Sequence, residues 1–405
     1  MKRLPSLAVR FLLAAASLGG VAVAVEVAAR VLTRGGHQRP HTTRGSFVRF
    51  HPLLGWDKPP HASGWLHRPE YSVWLEVNAK GLRGPDRPHE KPAGAHRTLL
   101  VGDSYTEGYT VAEDSTVRAV LERELRRNGV AAEVLNGGTM GYSTDQELLF
   151  YRLEGRRYSP DLVVVLFCTN DVYYNTTGEQ DKPWFELDGG PDRPLVLQGS
   201  PVRLPERGPW QRGPEPRPLA GPSWSESVAL RLLSERVSHG NPALHHALAR
   251  LGLMEPVKPE PIPMEMTPLG TLHPEVKKMW AVTRALLRDF KADTEADGAR
   301  LALFYIPDRY ELSERIWELT RAHFDMGHRF SPGRFHEHVQ RLCTELGIPM
   351  IDAGAAFRAA EGSTAGPAYF LADGHWNERG HSIAAHAIAE HVRRSLTSAP
   401  SPRHP

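Results

Sequence analysis

The chain has 405 residues, more than one domain ordinarily needs. Its 49 Lys and Arg stand against 47 Asp and Glu, and so near a balance argues against a nucleic-acid surface, which needs a marked basic excess. With only two cysteines, Cys168 and Cys343, a disulfide scaffold and a Cys-ligated zinc site are excluded, while half of the 34 prolines fall between Pro183 and Pro274 and require a large irregular segment.

The amino terminus carries Lys2, Arg3 and Arg10, then an uncharged apolar run from residue 11 to residue 25. A basic flank feeding an apolar helix former is the pattern that engages a membrane translocation machine. Two readings stand. The small residues Ala22-Val23-Ala24 form a cleavage site for a signal peptide removed after Ala24. The apolar pattern resumes in Val27, Ala28, Ala29, Val31 and Leu32, which favours a retained anchor over residues 6–33. Such a helix reaches about 42 Å and spans a ~30 Å hydrocarbon core. Either way the remainder of the chain is expected outside the cytoplasm.

Residues 34–96 mix Gly, Pro, His and aromatics without a helical period and are expected to form an irregular leader packed as a hairpin on the core. From residue 97 strand and helix patterns alternate. Residues 97–102 (RTLLVG), 131–136 (AAEVLN) and 161–167 (DLVVVLF) read as buried strands, with helical spacing over 113–128 and 144–154 between them. The alternation stops over residues 177–272, where two helical islands, 227–237 and 242–251, interrupt a Pro-rich stretch. It resumes with a helix at 275–296, a strand at 300–306 (RLALFYI), a helix at 333–346, a strand at 349–352 and a helix at 378–394. Residues 397–405 are expected as a disordered tail. Five strands joined by helical crossovers predict an α/β fold, a doubly wound parallel sheet of flavodoxin type split by the proline-rich insertion between strands three and four. The insertion follows closely after Asn170, so it is expected to rim or cover the cleft.

Four short stretches fall at, or are placed to reach, the carboxyl ends of predicted strands, where open α/β sheets build their sites. Gly102-Asp103-Ser104-Tyr105-Thr106-Glu107-Gly108 places a serine on a strand-to-helix turn, although Asp or Ser there also serves as a helix cap. Asn136-Gly137-Gly138-Thr139-Met140-Gly141 permits tight turns, and Thr169-Asn170-Asp171 can present an amide or simply build a turn. In Asp373-Gly374-His375-Trp376-Asn377 an Asp two residues before a His can hold the ring Nδ1–H and leave Nε2 as base. Nucleophile, backbone donor, amide donor and Asp–His pair together supply what acyl transfer needs.

In that order along the chain, GDSYTEG, NGGTMG, TND and DGHWN resemble the four blocks of the SGNH, or GDSL-type, hydrolases. The resemblance covers residues 97–176 and 298–395. It implies Ser104 as nucleophile, His375 as general base held by Asp373, and an oxyanion hole of the Ser104 N–H, the Gly141 N–H and the Asn170 side chain. It also implies neither metal nor cofactor. The sequence departs from the family in Tyr105 after the serine, in Cys168 where a glycine is usual, and in a D-x-H spacing one residue shorter than the commonest. The D-x-H-W form is associated with relatives acting on cell-envelope polysaccharides. The expectation is an extracytoplasmic ester hydrolase or O-acyl transferase acting on an acyl ester of an envelope polysaccharide or lipid, without nucleic acid as a partner. A catalytically inactive, anchored carbohydrate-binding module on the same fold is the alternative.

Overall fold

In the computed structural model the described residues are 47–176, 182–190, 193–202, 269–270, 274–324 and 326–397, with Val21, Ala24 and Val25. The chain divides into two compact units, residues 1–41 with 214–259, and residues 42–213 with 260–405. In the first unit the described residues are Val21, Ala24 and Val25, each helical and exposed. The expected membrane segment, both helical islands, most of the insertion and the carboxyl tail lie outside the described residues. Among the described residues no helix is long and apolar enough to cross a membrane.

In the second unit the leader forms two antiparallel hairpins, β1 (Arg49–His51) with β2 (Gly55–Asp57) and β3 (Ser63–His67) with β4 (Ser72–Glu76). The period of two in the second hairpin turns Leu66, Val73 and Leu75 inward, against Phe47, Tyr71 and Tyr109. Trp65 and Trp74, directly opposite each other, are about half exposed on its other face.

The strongest apolar runs become strands of one sheet. β5 (His96–Gly102) is followed by α1 (Ser104–Glu107) and α2 (Val117–Arg127), and β6 (Ala132–Asn136) by α3 (Thr144–Leu153). β7 (Leu162–Phe167) leads into α4 (Thr169–Tyr174). A hairpin of β8 (Trp184–Leu187) and β9 (Leu195–Gln198) precedes α5 (Pro274–Ala296). Then come β10 (Arg300–Tyr305), α6 (Arg309–Leu312), α7 (Glu314–His323), α8 (Arg334–Leu346), β11 (Met350–Asp352), α9 (Gly354–Glu361) and α10 (Glu378–Thr397).

The sheet order is β6-β5-β7-β10-β11, all parallel. Counted along the core this is 2-1-3-4-5, the flavodoxin-like order, whose switch point lies between the first and third core strands. Alternation within β7 explains why helices cover both faces. Val163, Val165 and Phe167 pack with Leu148 of α3, Leu286 of α5 and Val339 of α8. Leu162, Val164 and Leu166 pack with Leu121 of α2, Phe357 of α9 and Ile388 of α10. All six strand residues are essentially inaccessible, and full burial of such side chains contributes about 1.5–3 kcal/mol each.

The five core strands fall where the apolar runs predict them. The helix expected over 113–128 instead breaks at Thr116, whose side chain accepts a hydrogen bond from Ala119 N and so caps α2. The insertion also differs from expectation in its first part. Phe185 of β8 joins the core beside α3 and α5, so this stretch is an ordered hairpin despite its prolines. At its base Lys182 is buried, donating to Ser143 Oγ at 3.0 Å and to Asp145 Oδ2.

Candidate active site

β5 ends at Gly102 with φ +155°, and a Cβ there would sit 2.0 Å from Thr106 Oγ1, so the chain can close this tightly into α1 only as glycine. Asp103 caps the helix, its Oδ1 accepting from Tyr105 N at 2.9 Å. The capping reading of Asp103 therefore holds, and it leaves Ser104 free at the first helical position. Ser104 opens α1 at the switch point, 8% exposed, with its Oγ 2.8 Å from His375 Nε2.

His375 comes from the turn before α10. Phe370 N donates to His375 O at 2.8 Å and Gly374 N to Phe370 O at 3.2 Å, a hairpin-like turn. Within it Gly374, at φ +82°, turns the chain between the two residues, and the D-x-H spacing brings Asp373 Oδ1 to 2.6 Å from His375 Nδ1. This arrangement suits a proton on Nδ1 and a free lone pair on Nε2 facing the serine. Trp376, fully buried, anchors the turn by stacking on Phe357 at 5.3 Å and packing edge-on against Tyr105 at 5.0 Å. Burial alone would raise the Asp373 carboxyl, but hydrogen bonds from His375 and Tyr71 outweigh it and hold the group at about 2.

Asn170 emerges from β7 onto α4 beside Ser104. Its Nδ2 donates to Asp103 Oδ2 at 3.0 Å, and the Cys168 thiol donates to its Oδ1 at 2.8 Å. Burial, and then the charges of Asp103 and Asp171, push the Cys168 thiol well above its ordinary range, so it stays protonated as that donor. One amide hydrogen of Asn170 remains for a ligand. Gly141 lies on the loop after β6, half-buried at φ +77°. Among the described residues nothing accepts from the N–H of Ser104 or of Gly141. The loop is tied to α1, with Met140 N donating to Glu107 Oε2 at 2.7 Å and Asn136 Nδ2 to Thr106 O at 2.9 Å. All five residues singled out from the sequence thus lie at the carboxyl end of the sheet or on the turn that meets it, and side-chain hydrogen bonds join Ser104, His375 and Asp373 into one chain.

Sequence reasoning missed the props beneath these loops, which come from the leader. Lys58, buried, donates to Gly138 O and, at 2.6 Å, to Thr139 Oγ1, and Trp56 Nε1 donates to Met140 O at 2.9 Å. Arg83, also buried, donates to Gly108 O, to Glu107 O at 3.0 Å and to Val111 O at 2.6 Å. Tyr71 donates to Asp373 Oδ2 at 2.8 Å. Trp56 and Arg83 lie in the leader stretches 51–56 (HPLLGW) and 78–84 (NAKGLRG), whereas Lys58 and Tyr71 fall outside both. Among the described residues no group of three or more His, Cys, Asp or Glu side chains is arranged to hold a metal ion.

A serine aligned on a histidine that is aligned on a carboxylate, at the switch point of a parallel sheet, is the site of a serine hydrolase or acyltransferase. The chain belongs to the SGNH, or GDSL-type, hydrolase family. A GDSL-like lipase/acylhydrolase model matches residues 100–193, and a model described as SGNH hydrolase-like domain, acetyltransferase AlgX, matches residues 271–404. No curated protein matches. Similar solved structures include TesA, at 12% identity and TM-score 0.37, covering 74% of this chain and 99% of that one. The lipase/acylhydrolase from Enterococcus faecalis has 13% identity, TM-score 0.37 and coverage of 74% and 96%. A catalytic mutant of Axe2, an acetylxylan esterase from Geobacillus stearothermophilus, has 14% identity, TM-score 0.38 and coverage of 75% and 96%.

Proposed function

We propose that this protein cleaves or transfers an O-acyl group, most simply acetyl, on a cell-envelope polysaccharide outside the cytoplasm. The observation that carries the reading is the chain of hydrogen bonds from Ser104 Oγ through His375 to Asp373, at 2.8 and 2.6 Å. Ser104 Oγ attacks the acyl carbon as His375 Nε2 takes its proton. The charge that develops on the carbonyl oxygen meets the N–H groups of Ser104 and Gly141 and the remaining amide hydrogen of Asn170. His375 then returns the proton to the leaving alcohol, and the acyl group rests on Ser104. Asp373 stays ionised throughout and steadies the imidazolium. Water as the second acceptor gives an esterase, and a sugar hydroxyl gives a transferase.

The acetyl group is supported by the acetyltransferase description of the model matched over residues 271–404. A polysaccharide acceptor is supported by the D-x-H-W stretch and by Trp65 and Trp74, whose half-exposed rings offer sugar faces a stacking surface on the hairpin that reaches Asp373. The basic and then apolar amino-terminal sequence supports the location. Ser104→Ala is expected to abolish turnover of a small acetyl ester with the fold intact, and to abolish labelling by a fluorophosphonate probe. Unchanged turnover by the purified variant would sink the assignment.

A further inference from the structure

The loop that carries Asp373 is packed at its base but exposed at its tip. Leu371 at its tip is 67% exposed, and Ala372 is exposed beside it. The turn between β3 and β4 reaches this loop from 302 residues away in sequence. There the Glu70 carboxylate accepts from three consecutive backbone N–H groups, Leu371 at 2.8 Å on Oε1, and Ala372 at 2.9 Å and Asp373 at 2.8 Å on Oε2. Three donors converging on one charged acceptor hold the backbone directly under the Asp373 side chain. The next residue, Tyr71, holds the side chain itself. Its hydroxyl donates to Oδ2 at 2.8 Å, the oxygen that His375 does not use. The Tyr71 ring is seated against Phe370 at 5.0 Å and Tyr109 at 6.3 Å. Tyr109 adds a third polar contact, its hydroxyl 3.5 Å from Asp373 Oδ1 and 3.2 Å from His375 Nδ1.

We infer that Glu70 and Tyr71 are positioning residues for the acyl-transfer chemistry, fixing the Asp373 carboxylate so that one oxygen is always presented to His375 Nδ1. The inference rests on the roles proposed above for Ser104, His375 and Asp373. The groups that face Asp373 are His375, Tyr71 and Tyr109, with Glu70 acting through the backbone. A carboxylate at the end of an exposed loop would otherwise rotate between solvent and the imidazole, and the histidine would lose its preferred tautomer for part of the time.

Two variants test this without changing shape. Tyr71→Phe keeps the packed ring and removes one donor, whereas Glu70→Gln turns one accepting oxygen into an NH₂ group that faces backbone donors. For Tyr71→Phe, kcat on a small acetyl ester should fall roughly tenfold with KM within about twofold of wild type. The Asp373 carboxyl carbon, assigned by its loss in Asp373→Asn and followed by NMR, should titrate at higher pH, because the ionised form has lost a donor. Glu70→Gln should lower kcat by a similar factor. A purely structural role would lower the melting temperature and leave the Asp373 titration unmoved. That result in Tyr71→Phe, or kcat within about twofold of wild type in both variants, overturns the inference. If the wild-type protein turns over no ester and Tyr71→Phe still moves the Asp373 titration, the positioning role stands and the proposed function fails.

Discussion

Replacing Asn170 with alanine separates an oxyanion donor from a structural brace. The amide has two hydrogens, one engaged by Asp103 Oδ2 at 3.0 Å, and its oxygen is held by the Cys168 thiol at 2.8 Å. The second hydrogen is therefore fixed in direction before substrate arrives, and a preorganised donor of this kind is worth about 2.7–4 kcal/mol in the transition state, or ~10²–10³ in kcat. Because the charge it meets exists only in the transition state, KM should barely change. The same truncation leaves Asp103 Oδ2 with the Cys168 thiol at 3.5 Å as its remaining donor. Stability should consequently fall by about 1–3 kcal/mol. Steady-state kinetics on a chromogenic acetyl ester, with thermal denaturation of the same preparation, measure both effects. A variant that melts lower but keeps kcat within about threefold of wild type would refute the oxyanion role and leave Asn170 as a brace for Asp103.

Asp373 makes a prediction in the acid range. Its carboxyl is held at about 2 against an ordinary 3.8, burial working upward and the hydrogen bonds from His375 and Tyr71 working downward more strongly. A depressed carboxylate contributes stability that is complete above about pH 4 and is lost as the pH falls towards its folded value. Over that window the wild-type melting temperature should drop more steeply than that of Asp373→Asn, and parallel curves would contradict the account. At the base of the insertion, Lys182 and Asp145 form an ion pair in which neither side chain is exposed. Asp145→Ala strands a buried ammonium and should cost about 3–5 kcal/mol in urea denaturation. A loss below ~1 kcal/mol would mean that water reaches Lys182.

The core sheet was legible because its strands are buried on both faces. Continuous apolar runs such as LVVVLF have few other destinations than the middle of a parallel sheet, and all six of those residues are inaccessible. The four active-site stretches were legible for a related reason, since strand ends and glycine-permitted turns leave marks within a few residues. What escaped was either short or distant. Residues 309–323 lack a sustained apolar period because Ser313 breaks them into α6 and α7, with Trp317 as the one buried residue of the longer helix. β8 and β9 were hidden among prolines and glycines, although WFEL and LVLQ are short, mainly apolar runs. Glu70 and Tyr71 could not be read at all. The alternation of their hairpin is that of any half-buried pair of strands, and the contact that gives them a role closes a loop of about three hundred residues.

Lys58, Trp56 and Arg83 satisfy the backbone carbonyls of both loops that flank Ser104, and all three precede the first residue matched by the family models. The working catalytic unit is therefore larger than the matched region. In a chain cut at residue 97, the carbonyls of Gly138, Met140 and Val111 would lose these donors and turn to water, and the loops above them would be free to drift. For anyone trimming this protein for crystallisation or grafting its site onto another scaffold, the boundary to respect lies ahead of Trp56.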